Sequence, residues 1–84
     1  MKNVDEMIKK VSMYYNKLQE EILNTREKHV RDARKAIIYI GNKHMGRSLE
    51  EMGKRLGIRK TGAGMAIKGG REIAAKRKLL KELI

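Results

Sequence analysis

The side chains that could do chemistry in this sequence are mostly cations. Of the 84 residues, 21 are Lys or Arg and 10 are Asp or Glu, which gives a net charge of +11. The excess is concentrated between residues 54 and 78, where nine basic residues accompany one acid, Glu72. A field this uneven attracts a polyanion to one part of the surface. The charge therefore favours nucleic acid as a ligand over the simpler alternative of a solvated basic face.

Other chemistries find little support in the residue types. The chain has no Cys, and its two histidines, His29 and His44, are fifteen positions apart, so no metal site is predicted. Residues 41–48 differ from a phosphate-binding loop by having Arg47 in place of its Lys, and no strand precedes them. The tyrosines lack the metal or arginine–histidine pocket that a nucleophile needs. We therefore expect no enzymatic activity and no cofactor.

Residues 48–70 have the pattern of a helix-turn-helix. Ser48, followed three residues later by Glu51, is a capping box that starts a helix. Gly57 can take a positive φ just past the end of that helix, and a second helix is predicted to begin near Lys60 or Thr61. Each helix has one face of small or apolar residues, at Leu49, Met52, Gly53 and Leu56 in the first and at Ala63, Ala66, Ile67 and Gly70 in the second. Two short helices with facing stripes and a Gly-containing turn form this motif. Gly53 is predicted to lie where the two axes come closest.

The other face of the second helix is basic and rich in small residues, which suits the DNA major groove. The residues predicted to face base edges are Lys60, Thr61, Gly64, Met65 and Lys68. Met65 either contacts thymine methyl groups or folds back on the core. The residues predicted to hold phosphates beside them are Arg47, Ser48, Arg59 and Arg71. A second basic cluster, on the preceding helix, is predicted to reach the DNA backbone or an adjacent minor groove and comprises Arg26, Lys28, Arg31, Arg34 and Lys35. Because glycines weaken helices, those at 62, 64, 69 and 70 predict a short or frayed second helix.

The first 24 residues carry a helical apolar seam. Asn3 and Glu6 form a capping box, and apolar residues then recur at spacings of three and four, at Val4, Ile8, Val11, Tyr15, Leu18 and Ile22. The seam fits one long helix to about Asn24, or a helix that breaks near Tyr15 and Asn16 with a short second helix over 18–23. Core packing is the favoured role, and a homodimer through residues 4–22 is the alternative.

A central helix and a C-terminal helical segment complete the pattern. Thr25 is predicted to cap a helix that runs from about Arg26 to Lys43 or Met45. The apolar run 37–40 indicates burial on most sides of that helix. At the other end of the chain, residues 73–84 continue a helical pattern, and 74–84 are expected to pack on the core rather than to bind a membrane.

Two segments resemble known DNA-binding domains. The sequence ARKAIIYI at 33–40, followed by GRSLEEMGKRLGI at 46–58, resembles the C-terminal domain of the bacterial replication initiator DnaA. It is similar, to at least the same degree, to the C-terminal helix-turn-helix of REP-associated tyrosine transposases. Arg26 matches a further basic position, and VSMYYNKLQEEIL at 11–23 resembles the preceding helices, so the resemblance covers about residues 4–74.

The resemblance implies DNA binding but not the other activities of either family. The initiator's Asp-His-(Ser/Thr)-Thr-Val signature is replaced here by a region containing Lys60, Thr61, Gly62 and Ala63. The chain also carries neither the initiator's ATPase module nor the transposase's His-rich nuclease core. Replication initiation and strand cleavage are therefore not expected of this chain alone.

Together these observations predict an all-α single domain over 1–84, a bundle of five or six helices containing a helix-turn-helix at about 48–70. The expected partner is double-stranded DNA, with some sequence preference, in a cytoplasmic, nucleoid-associated protein. The chain is either that whole protein or part of a longer one. No apolar stretch approaches the roughly 18 residues that a membrane-spanning helix needs. A protein-interaction module and an RNA-binding module remain the alternatives.

Overall fold

The fold is all-α in the part of the chain that the computed structural model describes, residues 3–25, 27–78 and 81. Within those residues no strand occurs. The α-helices are α1 (Val4–Tyr15), α2 (Gln19–Asn24), α3 (Lys28–Tyr39), α4 (Leu49–Leu56) and α5 (Lys60–Lys76). A π-helical turn, Ile40–His44, continues α3. This arrangement confirms the predicted fold class.

The first helix begins and ends at its capping residues. Asn3 Oδ1 accepts a hydrogen bond from the main-chain N of Glu6 at 2.8 Å, as the capping pattern predicts. Asn16 takes a left-handed conformation (φ 55°, ψ 46°), which ends α1 and separates it from α2. Of the two alternatives for this stretch, the broken helix is therefore the correct one.

The apolar seam of α1 and α2 packs into the core of the same chain. Val4, Ile8, Val11 and Ile22 are all buried, whereas Leu18 is 70% exposed. The preference for core packing is thus confirmed. The alternative of a homodimer through residues 4–22 stays a prediction, and the large apolar residues left exposed in this range are Met13, Tyr14 and Leu18.

The central helix, α3, contacts each of the other α-helices described. Its apolar residues are buried as predicted: Val30, Ala33, Ala36, Ile37 and Ile38. The predicted cap is wrong, because Thr25 ends α2 by donating its main-chain N–H to Glu21 O, and Glu27 is the N-cap of α3. The predicted first residue of this helix, Arg26, lies outside the described residues.

The fourth helix and the residues after it follow the capping pattern closely. Ser48 Oγ accepts from the main-chain N of Glu51 at 3.0 Å, and Gly57 adopts φ 70° and ψ 30° just past the end of α4. Gly53 is buried as expected, but its neighbour is the turn itself, because an added Cβ would lie 2.7 Å from Ile58 O. The small residue therefore makes room for the turn rather than for the axis of the second helix.

The last described helix, α5, runs unbroken through all four of its glycines for 17 residues. The expectation of a short or frayed helix is therefore wrong. It ends at Lys76, and Lys78 has φ 53°, so the helical pattern predicted to continue through this point is interrupted. The later members of that pattern, Leu79, Leu80, Leu83 and Ile84, lie outside the described residues.

Two of the glycines of α5, Gly69 and Gly70, let the helix approach α3 closely. An added Cβ at Gly70 would lie 2.6 Å from Tyr39 Cβ and would overlap the main-chain oxygen of Lys35. Gly70 is accordingly buried, as are Ala63 and Ala74 on the same face. Packing against α3 compensates for the low helix propensity of Gly.

Candidate nucleic-acid interface

The face of α5 that points away from the core is basic and sparsely covered by large side chains. Every residue predicted to face base edges is exposed: Lys60, Thr61, Gly64, Met65 and Lys68. Met65 is 79% exposed, which decides against its folding back on the core. Arg59 and Arg71, predicted to hold phosphates, are exposed at the start and in the middle of the same helix. The structure thus gathers these seven residues on one accessible side of α5 and its preceding turn.

The start of α4 contributes less positive charge than the sequence suggests. Arg47 and Ser48 are both exposed, but Arg47 Nη1 lies 3.8 Å from Glu51 Oε2, and Ser48 Oγ already accepts the capping hydrogen bond. Glu50 and Glu51 occupy the first turn, where they interact favourably with the helix dipole. A phosphate at this helix end would therefore have to compete with two carboxylates.

Arg34 is not part of the surface. Its side chain is buried, with 7% of the residue exposed, and the guanidinium donates to three main-chain oxygens. These are Ile22 O at 2.6 Å, Leu23 O at 3.1 Å and Leu56 O at 2.5 Å. The prediction that Arg34 contacts phosphate is therefore wrong: it ties the end of α2 and the end of α4 to α3.

The position of Arg34 in the sequence indicates this burial. Arg34 lies four residues after Val30 and three before Ile37, so it shares the face of α3 that carries buried side chains. A guanidinium in such a position is stable only when its donors are satisfied, and the carbonyl groups at the ends of α2 and α4 satisfy them. Sequence spacing alone does not identify those acceptors.

The rest of the second basic cluster is divided between open surface and the flank of α5. Lys28 and Arg31 are exposed, Lys35 is half-buried, and Arg26 lies outside the described residues. Arg31 and Lys35 border a cleft of about 210 Å³ between α3, the turn and α5. The apolar part of its lining comes from Ile38, Ile58 and Ala66. No carboxylate belongs to the lining, so the cleft is cationic with an apolar wall.

Two other acidic side chains connect helices to one another. Glu21 Oε2 lies 2.6 Å from His29 Nε2, and this hydrogen bond lowers the pKa of the Glu21 carboxyl group. Asp5 pairs with Arg55, which joins α1 to α4. The described residues contain no group of three side chains that could hold a metal ion, and no helix among them is long and apolar enough to cross a membrane.

Comparison of the chain with protein-family models, curated proteins and solved structures gives no match. The site itself is therefore the basis for a functional assignment. The site is an exposed cationic surface on a helix whose opposite face is buried against α3. Sequence reasoning missed the part played by Gly69, which lies against the side chain of Lys35.

Proposed function

We propose that this chain binds double-stranded DNA without catalysis, using α4 and α5 as a helix-turn-helix with α5 in the major groove. The observation that supports this most strongly is the exposed face of α5. Lys60, Lys68 and Arg71 project from a helix whose opposite face is buried against α3. A helix presented in this way fits the width of the B-DNA major groove.

The side chains on this face divide into those suited to reading bases and those suited to holding phosphates. Lys68 can donate to guanine O6 or N7, and the exposed thioether of Met65 offers an apolar contact to a thymine methyl group. Thr61 and Gly64 are small enough to let the helix backbone approach the base edges. Arg59 and Arg71 are placed to bind phosphates on either side. The division predicts a sequence preference that rests on few side chains.

Two further considerations support the assignment. Residues 33–58 resemble the DNA-binding domains of the replication initiator and the REP-associated transposases, whose common activity is binding to duplex DNA. The described surface also lacks a group of exposed aromatic rings, since Tyr15 and Tyr39 are half-buried and Tyr14 is 38% exposed. Single-stranded nucleic acid is bound largely by stacking on such rings. In this proposal the chain acts on the nucleoid DNA of the cytoplasm.

Titration of the chain with duplex DNA, the matching single strand and a structured RNA, each at two salt concentrations, tests the proposal. We expect the duplex to bind tightest and its affinity to fall steeply with salt as counterions are released. Lys9→Ala, an exposed change on α1, is the control for loss of charge far from α5. Undetectable duplex binding at low salt, or tighter binding of RNA, would contradict the proposal.

A second measurement separates base reading from phosphate binding. A preferred duplex is first selected from random sequences and then compared with an unselected duplex at matched salt. Lys68→Ala should narrow the difference in binding free energy between the two by roughly 1–3 kcal/mol if Lys68 contacts guanine. Arg31→Ala, on α3, should weaken both duplexes equally. Identical behaviour of the two variants would show that α5 only holds phosphates.

A further inference from the structure

The helices α3 and α5 touch at two consecutive glycines that make different contacts. At Gly70 the two backbones meet, with no room for a Cβ beside Tyr39 and the main-chain oxygen of Lys35. At Gly69 the neighbour is instead a side chain. An added Cβ there would lie 3.0 Å from Lys35 Cδ and 3.3 Å from Lys35 Nζ. The side chain of Lys35 therefore lies across α5 in the space that residue 69 leaves empty.

This geometry brings the ammonium group of Lys35 to the surface of α5. Gly69 follows Lys68 directly and lies four residues after Met65, so it is next to the exposed face on the helix surface. A lysine stem that crosses at this point carries its charge from α3 to the edge of that face. The charged end of Lys35 therefore lies at the surface of α5, although Lys35 belongs to α3.

The cleft beside Lys35 has a composition that suits a sugar–phosphate backbone. Arg31 and Lys35 supply positive charge along one side, and Ile58 and Ala66 supply an apolar wall on the other. Within the described residues, no carboxylate oxygen lies within 4 Å of the charged nitrogens of Arg31 or Lys35, whereas Arg47, Lys54 and Arg55 each have such a partner. No carboxylate among the described residues therefore competes with an external anion for these two cations.

We propose that one strand of the bound duplex lies in this cleft, with its phosphates on Lys35 and Arg31 and its deoxyribose rings against Ala66 and Ile58. Gly69 is part of the site because its missing side chain is the space through which Lys35 reaches the strand. The inference rests on the proposed DNA binding and extends the interface from α5 onto α3. Gly69 thereby acts as a positioning residue that contacts no DNA through a side chain of its own.

Three variants test the role of Gly69: Gly69→Ala, Lys35→Ala and the double variant, each titrated with duplex DNA over a range of salt. The added methyl group should displace the flexible end of Lys35 rather than the backbone, so the chain is expected to fold. We expect Gly69→Ala to weaken duplex binding about as much as Lys35→Ala. Each change should lower the salt slope by about 0.9, the value for one lost phosphate contact.

The double variant and a control far from the cleft complete the design. Lys35→Ala should cost little further affinity in the Gly69→Ala background, because the same contact has already been lost. Lys9→Ala, an exposed change on α1, is the control and should leave affinity unchanged. If Gly69→Ala proves unfolded by circular dichroism, Lys35→Met, which keeps the stem and removes the charge, must still lower the salt slope.

The possible outcomes separate this inference from the proposal on which it rests. Duplex binding that survives Gly69→Ala at full strength but falls with Lys35→Ala would contradict the role of Gly69. Binding that is insensitive to Lys35 but sensitive to Lys68 would place the strand elsewhere. If the unmodified chain binds no duplex, the DNA-binding proposal itself is wrong, and the glycine variants are not needed to show it.

Discussion

The helices α1 and α5 both pack against the chain's core, but they do so in opposite ways. Helix α1 buries large side chains, Val4, Met7, Ile8 and Val11, and residues 1–25 carry balanced charge. In helix α5 the fully buried residues are small, Ala63, Gly70 and Ala74, with Ile67 and Ile73 partly buried beside them, and its other side exposes basic residues. Helix α1 packs through large side chains, whereas α5 packs mainly through small residues that let its backbone approach α3. The difference shows how a small chain can hold a helix in place and still leave its outer face exposed.

The energetic consequence is that the two regions contribute unequally to stability. Complete burial of a Val, Ile or Met side chain contributes about 1.5–3 kcal/mol, and Gly and Ala offer far less apolar surface to bury. We therefore expect α1 to contribute much of the core's free energy and α5 to depend on the shape of its contact with α3. Binding elements commonly come from the less stable parts of a fold.

The largest expected effect comes from breaking the connection between α2, which follows α1, and α4, which precedes α5. Arg34 donates to the carbonyl groups of Ile22 and Leu23 on one side and of Leu56, next to the α4–α5 turn, on the other. Arg34→Met should lower the free energy of unfolding by more than about 3 kcal/mol, because it removes three hydrogen bonds from a charged donor, each of which contributes about 1.5–3 kcal/mol. Denaturant unfolding at low and high salt measures this.

The matched control is Arg31→Ala, an exposed change on the same helix, which should shift stability by no more than about 0.5 kcal/mol. The loss in Arg34→Met should also be nearly independent of salt, since the acceptors are buried main-chain carbonyl groups. A loss that disappears at high salt would indicate that Arg34 acts as a surface charge after all.

The next effect tests whether α5 depends on the absence of side chains. Gly70→Ala places a methyl group against the α3 backbone and should destabilise the fold by about 1–3 kcal/mol, the usual cost of overpacking. Gly62→Ala, on the exposed side of the same helix, should instead stabilise it by about 0.5–1 kcal/mol. Thermal unfolding followed by circular dichroism compares them. Equal shifts of the same sign would mean that α5 is not held at Gly70.

The contrast also explains which features the sequence reveals. Capping at Asn3 and Ser48, the turn at Gly57 and the apolar seam of α1 are local patterns, and all four appear in the structure as predicted. The exposed face of α5 follows from helical periodicity for the same reason. What could not be predicted depends on neighbours distant in sequence: the buried role of Arg34, the unbroken α5, and the passage of Lys35 over Gly69. From sequence alone, a glycine in a helix predicts low helix stability. The structure is needed to show that a neighbouring helix packs against it.

The smallest effect concerns acid, and it should distinguish the N-terminal region from the binding region. The hydrogen bond from His29 is the main reason that the pKa of Glu21 lies below its ordinary value of 4.5, and it links α2 to α3. Since the folded pKa is lower than the unfolded one, the contribution is present above pH 4.5 and is lost as the pH falls through the folded value. His29→Gln should therefore lower stability more at neutral pH than in acid.

Glu27→Gln, which changes the more distant carboxylate 3.5 Å from His29 Nδ1, should keep the pH dependence of the unmodified chain. Free energies of unfolding, measured from above pH 4.5 to well below it, test both expectations. Duplex affinity at neutral pH should be equal in all three proteins, because neither His29 nor Glu27 lies on α5 or lines the cleft beside Lys35. A change in affinity with His29→Gln would show that α2 and the binding surface are coupled more tightly than their separate packing suggests.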